Sequence, residues 1–347
     1  MAPLLWGLLI LLVAAPATAQ TALPPGFTLH SYVNGQGADP RRDPDAPASF
    51  PTLVTIAVDH SGALYLARSA FRFRESQAEE LAPLYRFPVG GAKLTPENEP
   101  RYLYGPPLRN PRIAGINAQG DVFVSTYDRD RKLGAVYLLR QGRASLFAGG
   151  TPPPGSPPLL RQPETLAFDL EGNVYVVDAE QELVLKLDPT GRVIDPRFVS
   201  GFGRGRLLAF DPKGQLWIGS DGPATAGFQD SAGQVWRTTP ERTLTLAFQG
   251  MLPSGMSVSP GGSLFVSQRR GGKIFVLTPD GRRLDFTDLS ESTILRTLAF
   301  APVTPETRRE GIAGHLFLVT SPRSNFQAIE VGRISGPFDD FIQRSSH

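Results

Sequence analysis

The stretch LAFDLEGNVYVVD, Leu166–Asp178, decides the fold. A short apolar strand ends at Phe168, Asp169 opens a turn that reaches Gly172, and an apolar-aromatic strand follows. Asp suits such a turn because its side chain bonds nearby backbone. Gly suits it because it adopts positive φ without strain. The phrase recurs as IAVDHSGALYLA (Ile56–Ala67), AGINAQGDVFVS (Ala114–Ser125), LAFDPKGQLWIG (Leu208–Gly219) and MSVSPGGSLFVS (Met256–Ser267). A sixth copy, LAFAP…GHLFLV (Leu298–Val319), carries an insertion over 303–313. Short strands repeated at about 40–50 residues mark a β-propeller. The expected fold is therefore all-β, a six-bladed propeller with four antiparallel strands per blade.

Blade three shows the full unit. Its third strand is expected at Leu183–Leu187, followed by the turn Asp188-Pro189-Thr190-Gly191 and a fourth strand at Arg197–Val199. Third strands elsewhere are expected at Leu84–Phe87, Ala135–Leu139, Gln234–Arg237, Lys273–Leu277 and Ala328–Val331. Fourth strands are expected at Arg101–Tyr104, Ser145–Ala148, Thr243–Phe248 and Leu284–Phe286. The blades then run over 50–105, 106–150, 160–202, 203–250, 251–290 and 291–342. Inner strands covered by blades on both sides read as near-continuous apolar runs. An open ring would leave apolar edges exposed. Residues 26–33 (GFTLHSYV) are the expected closure, as the outer strand of blade six.

Residues 1–19 read differently. Leu4–Val13 is an apolar run, Pro16 interrupts it, and Ala17-Thr18-Ala19 resembles a small-residue cleavage site. That pattern predicts a signal peptide cut near Ala19 and a secreted or periplasmic product. The run is shorter than the roughly 20 residues that span a bilayer, so no stable membrane anchor is expected. The chain has no Cys, and a domain of this size buries enough apolar surface without disulfides. Its 35 basic and 33 acidic residues leave a net charge of +2, with no concentrated basic stripe for nucleic acid. A monomer is expected.

Ligands of propellers usually meet the face where inner strands begin and second strands end. The repeat places two rings of residues there. Four residues before the last apolar residue of each inner strand stand Val54, Arg112, Glu164, Arg206, Ser254 and Arg296. Three residues after each second-strand aromatic stand Arg68, Thr126, Asp178, Ser220, Gln268 and Thr320. Arg204, Arg269 and Arg270 lie close by in sequence. Three arginines in alternate blades suit carboxylate or phosphate, which guanidinium binds through paired hydrogen bonds. Glu164 and Asp178 can equally serve as internal partners of these arginines. Loop excursions at 71–83, 126–133 and 220–232 decorate the same face.

Blade three, LAFDLEGNVYVVDAEQELVLKLDPTGRV, resembles an NHL repeat. The mature chain also resembles the wider six-bladed group of regucalcin–gluconolactonase proteins and sorbosone or glucose dehydrogenases. The opening LPPGFTLHSYV (Leu23–Val33) is similar to the first strand of the sorbosone type. The lactonase resemblance implies a divalent metal held by Glu, Asn and Asp as they enter inner strands. Here only Glu164 is a carboxylate in that ring, and hard cations need several oxygen ligands. The dehydrogenase resemblance implies a quinone and a general base, usually His. The four histidines, His30, His60, His315 and His347, fall on the closing strand, a distal turn, a strand start and the last position. No resident metal or cofactor is therefore expected.

The sequence points first to a binder of a small anionic or sugar-like molecule, or of a protein partner, through Arg112, Glu164, Arg206, Arg296, Arg68 and Asp178. The alternative is a lactonase or quinone-dependent sugar dehydrogenase, with Glu164 and Asp178 as catalytic carboxylates around calcium or pyrroloquinoline quinone.

Overall fold

The computed structural model describes residues 23–35, 53–69, 81–95, 97–222, 232–239, 241–250, 252–269, 271–289, 292–322 and 330–344. The leader-like segment 1–19 and the excursion over 71–80 lie outside them.

Six small sheets form a six-bladed β-propeller. The inner strands are Leu53–Val58, Arg112–Ile116, Pro163–Phe168, Gly205–Phe210, Pro253–Val258 and Thr293–Phe300. Each packs on the next, and the last packs on the first, so the ring is closed. Side-chain hydroxyls stitch neighbouring inner strands together. Ile113 N donates to Thr55 Oγ1 at 2.7 Å, Leu208 N to Thr165 Oγ1 at 2.9 Å and Phe300 N to Ser257 Oγ at 3.0 Å.

The core lies between blades rather than within them. Six apolar clusters occupy the six interfaces among the described residues. Strand alternation shares each blade between two clusters. In blade one, Leu64, Leu66 and Phe87 face blade six, while Tyr65, Ala67 and Leu84 face blade two. The repeated aromatic packs against the Phe that ends the next inner strand. Phe123–Phe168, Tyr175–Phe210 and Phe265–Phe300 meet edge to face with ring centroids 4.9 to 5.1 Å apart. Such pairs add about 1 kcal/mol each beyond burial.

The N-terminal strand Thr28–Gly35 pairs antiparallel with Glu330–Ser335 and completes blade six. The short strand Ala92–Leu94, from a connection within blade one, then adds parallel to its outer edge. That second clasp was not read from the sequence. Two other details differ from expectation. The fourth strand of blade one starts at Leu103, not Arg101, because a 3-10 turn that takes Pro100 early occupies Glu99–Tyr102. The third strand of blade six is described over Glu330–Ser335 and so runs past the expected end at Val331, while Ala328 and Ile329 lie outside the described residues.

Candidate functional site

One end of every inner hairpin is a turn, and its build is conserved within the molecule. Asp169 Oδ1 accepts from Glu171 N at 3.0 Å and Asn173 N at 2.9 Å. Asp59, Asn117 and Asp211 hold the same pair of backbone amides in blades one, two and four. Gly172 sits at φ 80°, a conformation side-chain-bearing residues rarely adopt. The other carboxylate oxygen takes the polar end of the second-strand aromatic, as Tyr175 OH does at 3.1 Å and Trp217 Nε1 at 3.2 Å.

The opposite end opens on a small cavity at the channel mouth. Arg112, Glu164, Arg206, Ser254 and Arg296 all line it, so five of the six first-ring positions converge. The side chain of the sixth, Val54, lies outside the described part. About 60 Å³ is open to the centre of a water molecule.

Backbone irregularity explains how these side chains reach the axis. In blades four, five and six the inner strand carries one extra residue against its partner. The extra residues are Arg206, Ser254 and Arg296. In blade three Glu164 and Thr165 together oppose one residue. A β-bulge frees a side chain from strict alternation and redirects it, and bulges gather next to active sites. In blade two the extra residue is Ala114, and Arg112 pairs regularly with Ser125.

Arg112 Nη1 forms an ion pair with Glu164 Oε2, and Glu164 is only 4% exposed. Gln162 Nε2 donates to Glu164 Oε1 at 2.7 Å, and Arg204 Nη2 donates to Gln162 Oε1 at 3.1 Å. Arg206 Nη1 meets Asp221 Oδ2 at 3.1 Å. Arg296 donates from Nε and Nη2 to Ser321 Oγ at 3.3 and 3.2 Å. Burial, reinforced by the nearby Arg206, Arg269 and Arg204 guanidiniums, pushes Arg112 down to about 9. Burial alone pushes Arg296 down to about 10. Both remain charged at neutral pH.

Arg269 lines the cavity too, giving four guanidiniums against one carboxylate among its described lining residues. Its position just beyond the second-strand residue Gln268 was the available signal. Gln162 and Asp221 were missed as partners, because they lie outside the two rings.

The second ring does other work. Asp178 is not on the cavity wall, which corrects its expected place among ligand-binding or catalytic residues. It is fully buried, and its carboxylate accepts from the amides of Arg161, Gln162, Glu180 and Gln181 and from Gln181 Nε2. A carboxylate so enclosed has no face left for a ligand. Ser220 is likewise buried, donating to Phe202 O at 2.6 Å. Arg68 pairs with Val54 through backbone, and its side chain lies outside the described part.

The lining does not fit a resident calcium ion. Glu164 is the single carboxylate among its described lining residues and is already paired, with cationic groups around it. No three His, Cys, Asp or Glu side chains among the described residues gather to hold a metal. None of the described histidines lines the cavity.

No family model matches the chain, and no curated protein matches it in sequence. Its fold does match solved structures. A glucose dehydrogenase-like putative oxidoreductase from Thermus thermophilus superposes with a TM-score of 0.54 at 18% identity, covering 89% of this chain and 100% of its own. A gluconolactonase from Xanthomonas campestris gives 0.54 at 15% identity, covering 83% and 88%. Virginiamycin B lyase from Staphylococcus aureus gives 0.52 at 11% identity, covering 89% and 99%. These likenesses establish a shared β-propeller fold, on which unrelated activities reside.

Proposed function

We propose that the protein binds a small anionic molecule at the channel mouth, and that it does so as an exported protein. The observation that supports this reading is the convergence of Arg112, Arg206, Arg269 and Arg296 on one small cavity. Guanidinium presents a planar fork of N–H donors that matches carboxylate or phosphate oxygens. Burial strengthens each contact by excluding water. The bulges fix Arg206 and Arg296 on strands rather than on loops, so less ordering cost falls on binding.

A thermal-shift panel tests the reading. Citrate and phosphate should raise the melting temperature of the mature chain, and calcium should not. Ligand at about 100 times Kd stabilises by about 2.7 kcal/mol. The shift should shrink strongly in Arg206→Ala, whose loss costs affinity by about 2 kcal/mol, roughly thirtyfold. Stabilisation by calcium with no response to either anion would overturn it.

The fold of the gluconolactonase and glucose dehydrogenase-like structures favours a second reading, an enzyme acting on a lactone or sugar. In that case Glu164 is the available carboxylate base, because Asp178 is enclosed by backbone amides. Turnover of gluconolactone that disappears in Glu164→Gln would establish it.

A further inference from the structure

We propose that Glu164 is a resident carboxylate that holds the ligand's place on Arg112, and that the ligand is a small molecule carrying two or more carboxylates. This rests on the anion-binding reading of the cavity. Three observations carry it. Glu164 is the only carboxylate among the described lining residues, and it sits on a cavity-lining guanidinium rather than away from it. Its backbone lies in a bulge, and its side chain is steadied by Gln162, itself held by Arg204, so its aim is built in. The cations recur in alternate blades, Arg112 in two, Arg206 in four and Arg296 in six, which spreads them around the axis.

A buried guanidinium without a counter-charge is costly, so an empty site needs an internal anion. Glu164 supplies it on Arg112, as Asp221 does on Arg206. An incoming carboxylate that displaces Glu164 takes over the contact that Glu164 Oε2 makes with Arg112 Nη1, and it can engage the guanidinium through two parallel hydrogen bonds. A second carboxylate on the same molecule reaches a cation on another blade. Geometry of this kind rewards a short polycarboxylate over a monocarboxylate, because the second contact is intramolecular once the first is made. Glu164 thereby sets the affinity threshold and suppresses weaker monoanions.

Isothermal titration of the mature chain with citrate and with acetate tests this, using wild type, Glu164→Gln and Glu164→Asp. Wild type should bind citrate and ignore acetate. Removing the competing charge in Glu164→Gln should tighten citrate by about tenfold or more and admit acetate. Glu164→Asp, which keeps the charge but withdraws it by one methylene, should fall between. Citrate should also raise the melting temperature of Glu164→Gln more than that of wild type, since it restores the lost counter-charge. Equal or weaker citrate binding by folded Glu164→Gln and Glu164→Asp, with wild type still binding, would overturn the role of Glu164 alone. Acetate bound by wild type as tightly as citrate would overturn the polycarboxylate assignment. Failure of wild type and both variants to bind citrate, acetate or phosphate would overturn the anion-binding reading beneath it.

Discussion

At the turn end of the inner hairpins, Asp59, Asn117, Asp169 and Asp211 perform one task in four blades, each holding the same two backbone amides. At the mouth end, matched positions hold Arg112, Glu164, Arg206, Ser254 and Arg296, and no two neighbouring blades agree. The turn end obeys local backbone demands, which are the same in every blade. The mouth end faces a shared space, where each residue answers to residues from other blades. Repetition therefore marks the scaffold, and departure from repetition marks the cavity.

The largest expected effect breaks the mouth. Arg112→Ala strands Glu164 as a buried charge without its partner and should lower stability by about 4 kcal/mol in urea unfolding. A change within error would mean that the pair is solvated and the cavity open to bulk water.

Asp178→Ala comes next. It leaves four backbone amides without the fully buried carboxylate that accepts from them and should cost about 3 kcal/mol. It should also tighten citrate binding, because Gln162, which steadies the competing Glu164, hangs from the same carboxylate. Normal stability with lost binding would instead return Asp178 to the ligand.

Replacing the ion pair outright sharpens the contrast. The double change Arg112→Met with Glu164→Leu should move stability by less than about 2 kcal/mol, since apolar residues often replace buried pairs at little cost. Citrate binding should still be lost. Stability and binding lost together would show that the mouth, like the turn, belongs to the scaffold.

The smallest effect tests the turn. Burial resists ionisation of Asp169, but hydrogen bonds from Asn173 and Tyr175 and the charge of Lys186 outweigh it and hold its carboxyl below the ordinary range. A depressed folded value means stability is fully present above the unfolded value of about 3.9 and is lost as pH falls through the folded one. Asp169→Asn keeps the Oδ1 acceptor, as Asn117 does in blade two, and should cost less than about 1 kcal/mol at pH 7. Its melting temperature should then fall less than that of wild type between pH 5 and pH 2.

The scaffold was legible because its determinants are local. A turn Asp, a positive-φ Gly and an alternating aromatic strand recur at fixed spacing, so six blades and their inner strands follow. The closing strand Thr28–Gly35 was legible only through the need to close the ring. The first ring could be aligned by register, and its arginines and Glu164 meet in one cavity. What register could not supply was pairing across blades. Arg112 finds Glu164, Gln162 finds Arg204, and the choice rests on three-dimensional proximity between segments distant in sequence. The bulges at Arg206 and Arg296 were equally hidden, since an extra residue in one strand shows only against its partner. Asp178 illustrates the opposite error. A carboxylate at a mouth-end position has the right chemistry for a ligand, and only the backbone amides of Arg161 and Gln162 folding over it reveal a latch.

A crystal structure of residues 20–347 grown with citrate tests the central claim most directly. The account predicts a carboxylate of citrate within hydrogen-bonding distance of Arg112 and a second on Arg206 or Arg296, with Glu164 turned away from Arg112. A cation seated on Glu164, with the arginines swung out of the mouth and no anion between them, would contradict it.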